Sequence, residues 1–199
     1  PMDEGTGRRI VIRGGSIASG YGVTRGYADI LEGRYGERGI EVVNRSRRGD
    51  NSFDGIRTFH EDITPYRPDI LLIHFGEDDA FFPVYRSEYK ENLVRMVKLS
   101  RELFSPVICL LTSHTFDDPY DMDALQIFYR ASREVAADLV CELIPVHTCW
   151  AGYLLENGLS NSDLVQDDTR YPNEHGHRVF AEAVGLRLDR IIAGRRPLR

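Results

Sequence analysis

Five short apolar runs, each closely followed by Gly, Ser, Asn or Asp, alternate along this chain with segments of helical periodicity. That alternation restricts the fold more than any other feature. The runs are "RIVIR" from Arg9, "IEVV" from Ile40, "DILLIHF" from Asp69, "VICLLT" from Val107 and "LVCELIPV" from Leu139. Rich in Val, Ile and Leu, they read as buried strands ending in loops. Helical patterns lie between them at Arg25 to Tyr35, Phe53 to Asp62, Glu88 to Phe104 and Met122 to Ala137, with Thr24, Ser52, Ser87 and Asp121 as N-caps. A shorter helix is expected over Trp150 to Asn157, stopped by Gly158, and a last one from about Asn173 to Ala193. A parallel sheet with helices on both faces satisfies such an alternation, which makes the chain α/β. With no internal repeat, linker or low-complexity segment, residues 8–195 are expected to form a single domain behind a short disordered remnant, residues 1–7.

Composition removes several classes of function. The net charge of −6, from 25 Lys and Arg against 31 Asp and Glu, argues against a chain that coats nucleic acid. No apolar run approaches the length of a membrane span. The first residues, "PMDEGTGRR", lack the apolar stretch of a secretory signal. Cys109, Cys141 and Cys149 lie in or beside apolar stretches and are expected to be small buried hydrophobes in a reducing compartment, the cytoplasm. No tight metal-ligand spacing is present, and neither a metal nor another cofactor is expected.

In open parallel sheets, ligands bind at the carboxyl ends of the strands. The segments to read are therefore "GGSIASG", "NRSRRGDNS", "GEDDAFF", "TSHTFDDPY" and "HTCW", together with the loop "LSNSDLVQDDTRYP" that leads into the last helix. In the first, Gly14 and Gly15 permit a tight turn that exposes the hydroxyl and backbone N–H of Ser16 to a ligand. Taken alone, that fragment reads as an ordinary structural turn.

Four blocks in order change the reading: "IVIRGGSIASGYG", "VVNRSRRGDNS", "PDILLIHFGEDDA" and "DDTRYPNEHGHRVFAEAV". Together they resemble the SGNH or GDSL hydrolase family, over Ile10 to about Val184. The resemblance implies a three-layer α/β/α sandwich around a flavodoxin-like, five-stranded parallel sheet. It implies Ser16 as nucleophile, with the N–H groups of Ser16 and Gly49 as oxyanion donors. The family's oxyanion asparagine is replaced by Asp78. The triad acid matches Asp168, but the histidine three residues on is replaced by Tyr171, in a register held by Pro172, Asn173, Gly176 and His177. Gly15 stands where the GDS signature has its aspartate.

These departures have chemical consequences. A phenol, with an ordinary pKa near 10, is a poor substitute for an imidazole base. A carboxylate where an amide should donate opposes the developing oxyanion. His114, just beyond the fourth strand, is the candidate surrogate base. His177 is expected to pack its helix, His175 to be solvated, and His74 and His60 to be core or surface residues. Arg48, Asn51, Phe81 and Trp150, with Tyr21 and Phe82, are candidates to line the substrate cleft. The charged edge, with Arg45, Arg47, Arg48 and Arg170 among many acids, reads as solvated loops with surface ion pairs or as an arginine-lined anion pocket.

The expectation is a serine ester hydrolase of the esterase, lipase or deacetylase class with weak or altered activity. Its partner is a small-molecule ester or acetylated substrate, and neither nucleic acid nor a membrane span is expected. The alternative is a noncatalytic protein that binds a small molecule or carbohydrate in the same cleft. Fold alone does not separate the two.

Overall fold

The computed structural model describes residues 8–82 and 84–194, so the expectations for residues 1–7 and for residue 195 fall outside them. Its sheet has five parallel strands: β1 (Arg9–Gly14), β2 (Glu41–Asn44), β3 (Ile70–His74), β4 (Val107–Leu111) and β5 (Glu142–Ile144), in the spatial order β2-β1-β3-β4-β5. That is the flavodoxin-like order, and β1 lies between β2 and β3 with Val11 opposite both Val43 and Leu71. Helices α1 (Tyr27–Gly36), α7 (Val146–Asn157) and α8 (Glu174–Gly194) cover one face; α2 (Ser52–Arg57), α3 (Phe59–Asp62), α5 (Arg86–Leu103) and α6 (Pro119–Asp138) cover the other. The three layers form an α/β/α sandwich.

The uniform apolarity of the strands follows from this arrangement. Ile10, Ile12, Leu72 and Cys109 enter one core with Tyr27, Leu31, Trp150 and Phe180, whereas Val11, Leu71, Ile73 and Leu110 enter the other with Phe59, Leu93, Met96 and Val135. Both faces of each central strand are dry, so neither face selects polar residues. Of the cysteines, Cys109 is buried as expected, but Cys141 is half-buried and Cys149 exposed, because β5 is an edge strand and Cys149 lies on the outer side of α7. No helix among the described residues is long and apolar enough to cross a membrane.

Several boundaries differ from the sequence expectation. The second helix is broken at Thr58, whose hydroxyl bonds back to Asp54 O (2.9 Å) and accepts from Arg13 Nη2 (2.9 Å), splitting it into α2 and α3. The fifth strand starts three residues late because α6 continues to Asp138 and the chain reverses through Val140 at φ +52°. A short helix, α4 (Glu77–Phe81), forms where a loop was expected, and α7 begins at Val146 instead of Trp150. The N-caps are Gly26, Asn51, Tyr85 and Asp118, not Thr24, Ser52, Ser87 and Asp121. At α6 the choice is physical: Asp118 accepts from the Tyr120 and Asp121 N–H groups, and Pro119 fills the first helical position, where no N–H is needed.

The carboxyl edge is organised by a buried charge. Arg13, in β1, has no exposed surface. Its guanidinium donates to Asp50 Oδ2 (2.6 Å) and Gly14 O (2.9 Å), and its Nε lies 3.2 Å from Asp62 Oδ2. Asp62, also fully buried, receives a fork from Arg47 (2.6 Å on each oxygen) and a contact from Arg45 (3.2 Å). Burial pushes the Asp62 carboxyl up, but the hydrogen bonds from Arg47 and the charge of Arg13 outweigh it and hold the group below its ordinary range. Arg45 and Arg47 are thus engaged by Asp62. Asp62→Ala is expected to cost about 3–5 kcal/mol, since it removes one of the two carboxylates that neutralise a buried guanidinium. The double variant Arg13→Met, Asp62→Leu should lose less than the sum of the two single changes, as read from urea denaturation midpoints.

Candidate functional site

At the end of β1 the chain turns sharply at Gly15 and presents Ser16 toward α4, the helix that follows β3. The Ser16 N–H donates to Asp78 Oδ2 (2.7 Å) and the Ser16 hydroxyl to Asp78 Oδ1 (2.7 Å). From the third loop, between β2 and α2, the Gly49 N–H donates to Ser16 Oγ (2.9 Å), with Gly49 at φ +79°. The carboxylate of Asp78 therefore bridges both donors of Ser16. Burial raises the Asp78 pKa, with Asp50 adding to the rise; the two bonds from Ser16 and the charge of Arg170 oppose it.

The turn at Gly15 is coupled to that carboxylate. A Cβ at Gly15 would stand 2.0 Å from Asp78 Oδ2 and 2.4 Å from Asp50 O, far inside van der Waals contact. The two departures noted in the sequence, Gly15 and Asp78, are one steric unit.

Glu77 and Asp79 flank Asp78 and are buried with it. Burial lifts Glu77 well above the ordinary carboxylate range, reinforced by Asp78. Asp79 is pushed up to about 6 by burial against its hydrogen bonds. It accepts from the Ser52 N–H (3.0 Å), the Ser52 hydroxyl (2.5 Å) and the Gly76 N–H (3.0 Å), tying the start of α2 to that of α4. Asp79 is a structural clamp. Glu77 escaped the sequence reading because nothing in "GEDD" distinguishes a buried acid from a solvated one.

Tyr171 reaches the site from the loop before α8 and is 8% exposed. Burial raises its phenol, as do Glu77 and Asp78, while Arg170 and a hydrogen-bonding contact with Ser16 lower it. Ser16, Gly49, Asp78 and Tyr171 thus converge. Asp168 does not join them through its carboxylate: Arg170 forks onto it from Nε (2.9 Å) and Nη2 (2.6 Å) at the surface, and only the Asp168 carbonyl meets the Tyr171 N–H (3.0 Å). That hydrogen-bonded guanidinium also holds the Asp168 pKa down. With no imidazole N–H to receive, the acid is taken by the nearest cation.

His114 is placed differently from the surrogate-base expectation. It is fully buried, with its ring 4.6 Å from Phe116 and 4.9 Å from Trp150, and its Nε2 lies 3.3 Å from Thr169 O. Burial lowers its pKa to about 3, and among the described residues its Nδ1 has no partner. An imidazole so desolvated cannot take a proton near neutral pH. His74 sits between the Tyr27 hydroxyl (3.0 Å) and the Ser113 hydroxyl (3.2 Å), and His177 accepts from the Tyr27 N–H (3.1 Å), which fits a packing role. His175 is not simply solvated; its Nε2 meets the Tyr153 hydroxyl (2.8 Å).

The expected cleft-lining residues divide. Trp150 has no exposed surface and donates to Asn161 Oδ1 (2.6 Å), so it belongs to the core. The Asn51 side chain is committed to capping α2 through the Phe53 and Asp54 N–H groups. Arg48 and Phe81 do reach the site's rim. Arg48 lies 4.0 Å over the Tyr21 ring, Tyr21 meets Tyr171 edge-on at 4.8 Å, and Arg170 lies over both Tyr171 (5.5 Å) and Phe81 (5.6 Å). These rings and guanidiniums form one connected row around Tyr171, while Ser16 itself is 1% exposed. The crevice beside it, lined by Ile17, His74, Glu77, Asp78 and Ser113, does not admit a water-sized molecule. A carbonyl oxygen that sought the Ser16 N–H would have to displace Asp78.

Comparison with known proteins adds what geometry alone does not. The model of the GDSL-like Lipase/Acylhydrolase family matches residues 13–179. An arylesterase of Vibrio mimicus is 21% identical over 184 residues, covering 90% of this chain and 88% of that protein. Esterase TesA of Pseudomonas aeruginosa is 24% identical over 173 residues, covering 85% and 82%. Among solved structures, an acetylxylan esterase from Geobacillus stearothermophilus superposes with a TM-score of 0.78 at 23% identity, covering 92% of this chain and 94% of that one.

Two tests follow from the geometry. Gly15→Ala should lower the urea midpoint strongly, and adding Asp78→Ala should recover only part of the loss, because the Asp50 carbonyl still blocks the methyl group. The second test concerns proton linkage. Burial lowers His177 to about 4, below its unfolded value near 6.5, so its contribution is present above pH ~6.5 and is lost as pH falls toward 4. Asp79, raised to about 6 from an unfolded value near 3.9, acts in the opposite sense: its contribution is full below pH ~4 and is lost as pH rises through 6. Between pH 6 and 4, His177→Gln should flatten the loss of stability on acidification and Asp79→Asn should steepen it, as measured by denaturation midpoints against pH.

Proposed function

Because this chain belongs to the GDSL-like lipase/acylhydrolase family, we propose that it is a Ser16-dependent ester hydrolase of low turnover, held closed at rest by its own Asp78. The observation that carries this reading is the 2.7 Å hydrogen bond from the Ser16 hydroxyl to Asp78 Oδ1. It gives the nucleophile a proton acceptor where an imidazole is missing.

The chemistry follows. Ser16 Oγ attacks the ester carbonyl carbon as its proton passes to Asp78; the C–O bond to serine forms and the carbonyl oxygen becomes an oxyanion. The newly protonated Asp78 no longer opposes that charge; the Gly49 N–H donates to the oxyanion, joined by the Ser16 N–H once Asp78 Oδ2 has left it. The tetrahedral adduct then expels the alcohol, which leaves with the proton from Asp78. Water hydrolyses the acyl-serine by the same route in reverse order, returning the proton to Ser16. A carboxylate is a weak base for a hydroxyl even when burial raises its pKa. By analogy with serine proteases, losing the imidazole costs on the order of 10⁴ to 10⁶ in rate. The names of the similar proteins, arylesterase and acetylxylan esterase, support an ester or acetylated substrate. For the Geobacillus enzyme, catalytic mutants replace a serine, an aspartate and a histidine; in our reading of the fourth block, Tyr171 stands where the family pattern has its histidine.

The second reading, a noncatalytic binding protein, is favoured by the occupied Ser16 N–H and the closed crevice. Kinetics on nitrophenyl acetate separate the two. We expect very low wild-type kcat/KM that falls further in Ser16→Ala, together with slow labelling of Ser16 by a fluorophosphonate. Tyr171→His with Asp78→Asn should raise kcat/KM by at least about 10², since a base and an oxyanion donor are regained. That gain should vanish on adding Ser16→Ala. Residual hydrolysis untouched by Ser16→Ala, with no fluorophosphonate label, would sink the hydrolase reading and leave the binding protein.

A further inference from the structure

Most arginines at the carboxyl edge are neutralised, but two on α6 are not. Arg130 and Arg133, one helical turn apart, have neither a hydrogen bond nor an ion pair among the described residues, and they line a cavity of about 320 Å³ between α6 and the start of α7. The acid next in sequence, Glu134, faces away and is taken by Arg86 (2.5 Å) and Lys90 (3.1 Å) from α5. The cavity lining contains no carboxylate, in a chain whose net charge is −6.

Across from the arginines the wall is built of hydrogen-bonding groups with spare capacity. His147 stacks on Tyr129 (4.9 Å between ring centres), and its Nδ1 is engaged by the Thr112 hydroxyl (2.7 Å). Its orientation is therefore fixed, and Nε2 has no partner among the described residues. Burial lowers the His147 pKa, and the charge of Arg133 lowers it further, so the two side chains feel one another across the cavity. The Thr148 hydroxyl and the Gln126 amide also line the space, and neither side chain makes a hydrogen bond within the described chain.

We infer that this cavity is a binding site for a tetrahedral phosphate anion, either free phosphate or the phosphoryl end of a small phosphate monoester. A carboxylate is satisfied by one guanidinium fork. Two guanidiniums, an imidazole and a hydroxyl provide more donors than that and match a group with three terminal oxygens. The volume exceeds that of the anion, and Leu143, Pro145 and the Tyr129 ring offer apolar walls for a few carbon atoms. None of Ser16, Gly49, Asp78 or Tyr171 contributes to the lining, so the site is separate from the crevice described above and does not depend on its chemistry.

The test is calorimetric titration of the whole chain with inorganic phosphate, glycerol 1-phosphate and acetate. Saturable binding of phosphate or of the monoester, with acetate binding much more weakly, is expected. Arg130→Gln combined with Arg133→Gln should weaken it at least about tenfold, because charge-assisted bonds are lost. Arg95→Gln, which removes the same charge from an exposed site on α5 outside the cavity, should change little. In the wild type, phosphate should also shift the His147 ring resonances, a response absent from the double variant. Tighter binding of the monoester assigns the site to an organic phosphate, and equal affinity assigns it to the free ion. Absence of saturable binding of both up to about 10 mM, or affinity unchanged by the double variant, would overturn the inference.

Discussion

A guanidinium without access to water sets the geometry on which the carboxyl edge depends. Arg13 joins the end of β1, through Gly14 O, to the loop carrying Gly49 and Asp50 and to Thr58 and Asp62 of the next helical segment. A buried charge tolerates few arrangements, because each unmet donor is costly. The loop that brings the Gly49 N–H to Ser16 is thus held from beneath by electrostatics while the sheet fixes Ser16 from the side. The same demand explains why Arg47 and Arg45 converge on Asp62 when open solvent is available to both.

Against that frame Asp78 acts as an internal ligand. Its two oxygens satisfy the N–H and O–H of Ser16, the very donors that an incoming acyl group would need. The space its carboxylate requires is created by the missing side chain at Gly15. A change at either position alone would leave a clash or an unfilled polar gap, which is why the two belong together.

Much of this was legible in the sequence, and the failures share a cause. The five parallel strands follow from the alternation of apolar runs and helical segments, whereas their order and the meeting of Ser16, Gly49, Asp78 and Tyr171 are what the family resemblance of the four blocks implies. The errors at Trp150, Asn51, Asp168 and His114 concern what a side chain touches, which neither hydropathy nor the order of the blocks records. Trp150 was read as a pocket wall but finds Asn161 and a ring of core aromatics. Asp168 was read as part of a triad but lies two residues from a guanidinium that reaches it first. The fifth strand starts at Glu142 instead of Leu139 for a different reason: apolar residues can end a helix as well as begin a strand, and a left-handed turn at Val140 leaves no trace in hydropathy.

The aromatic core behind the site contains the chain's one tryptophan. Trp150 lies 4.9 Å from the His114 ring and 5.9 Å from Phe180, and its indole N–H is anchored on Asn161, whose amide in turn holds Asp117 (2.6 Å). The intrinsic fluorescence of this protein is accordingly a one-sided witness. Its emission speaks for the junction of α7, α8 and the segment after β4, and it is blind to the layer built from α2, α5 and α6. A tryptophan signal that changes while far-ultraviolet dichroism stays constant would mark loosened packing on the α8 side with the helices and strands themselves retained.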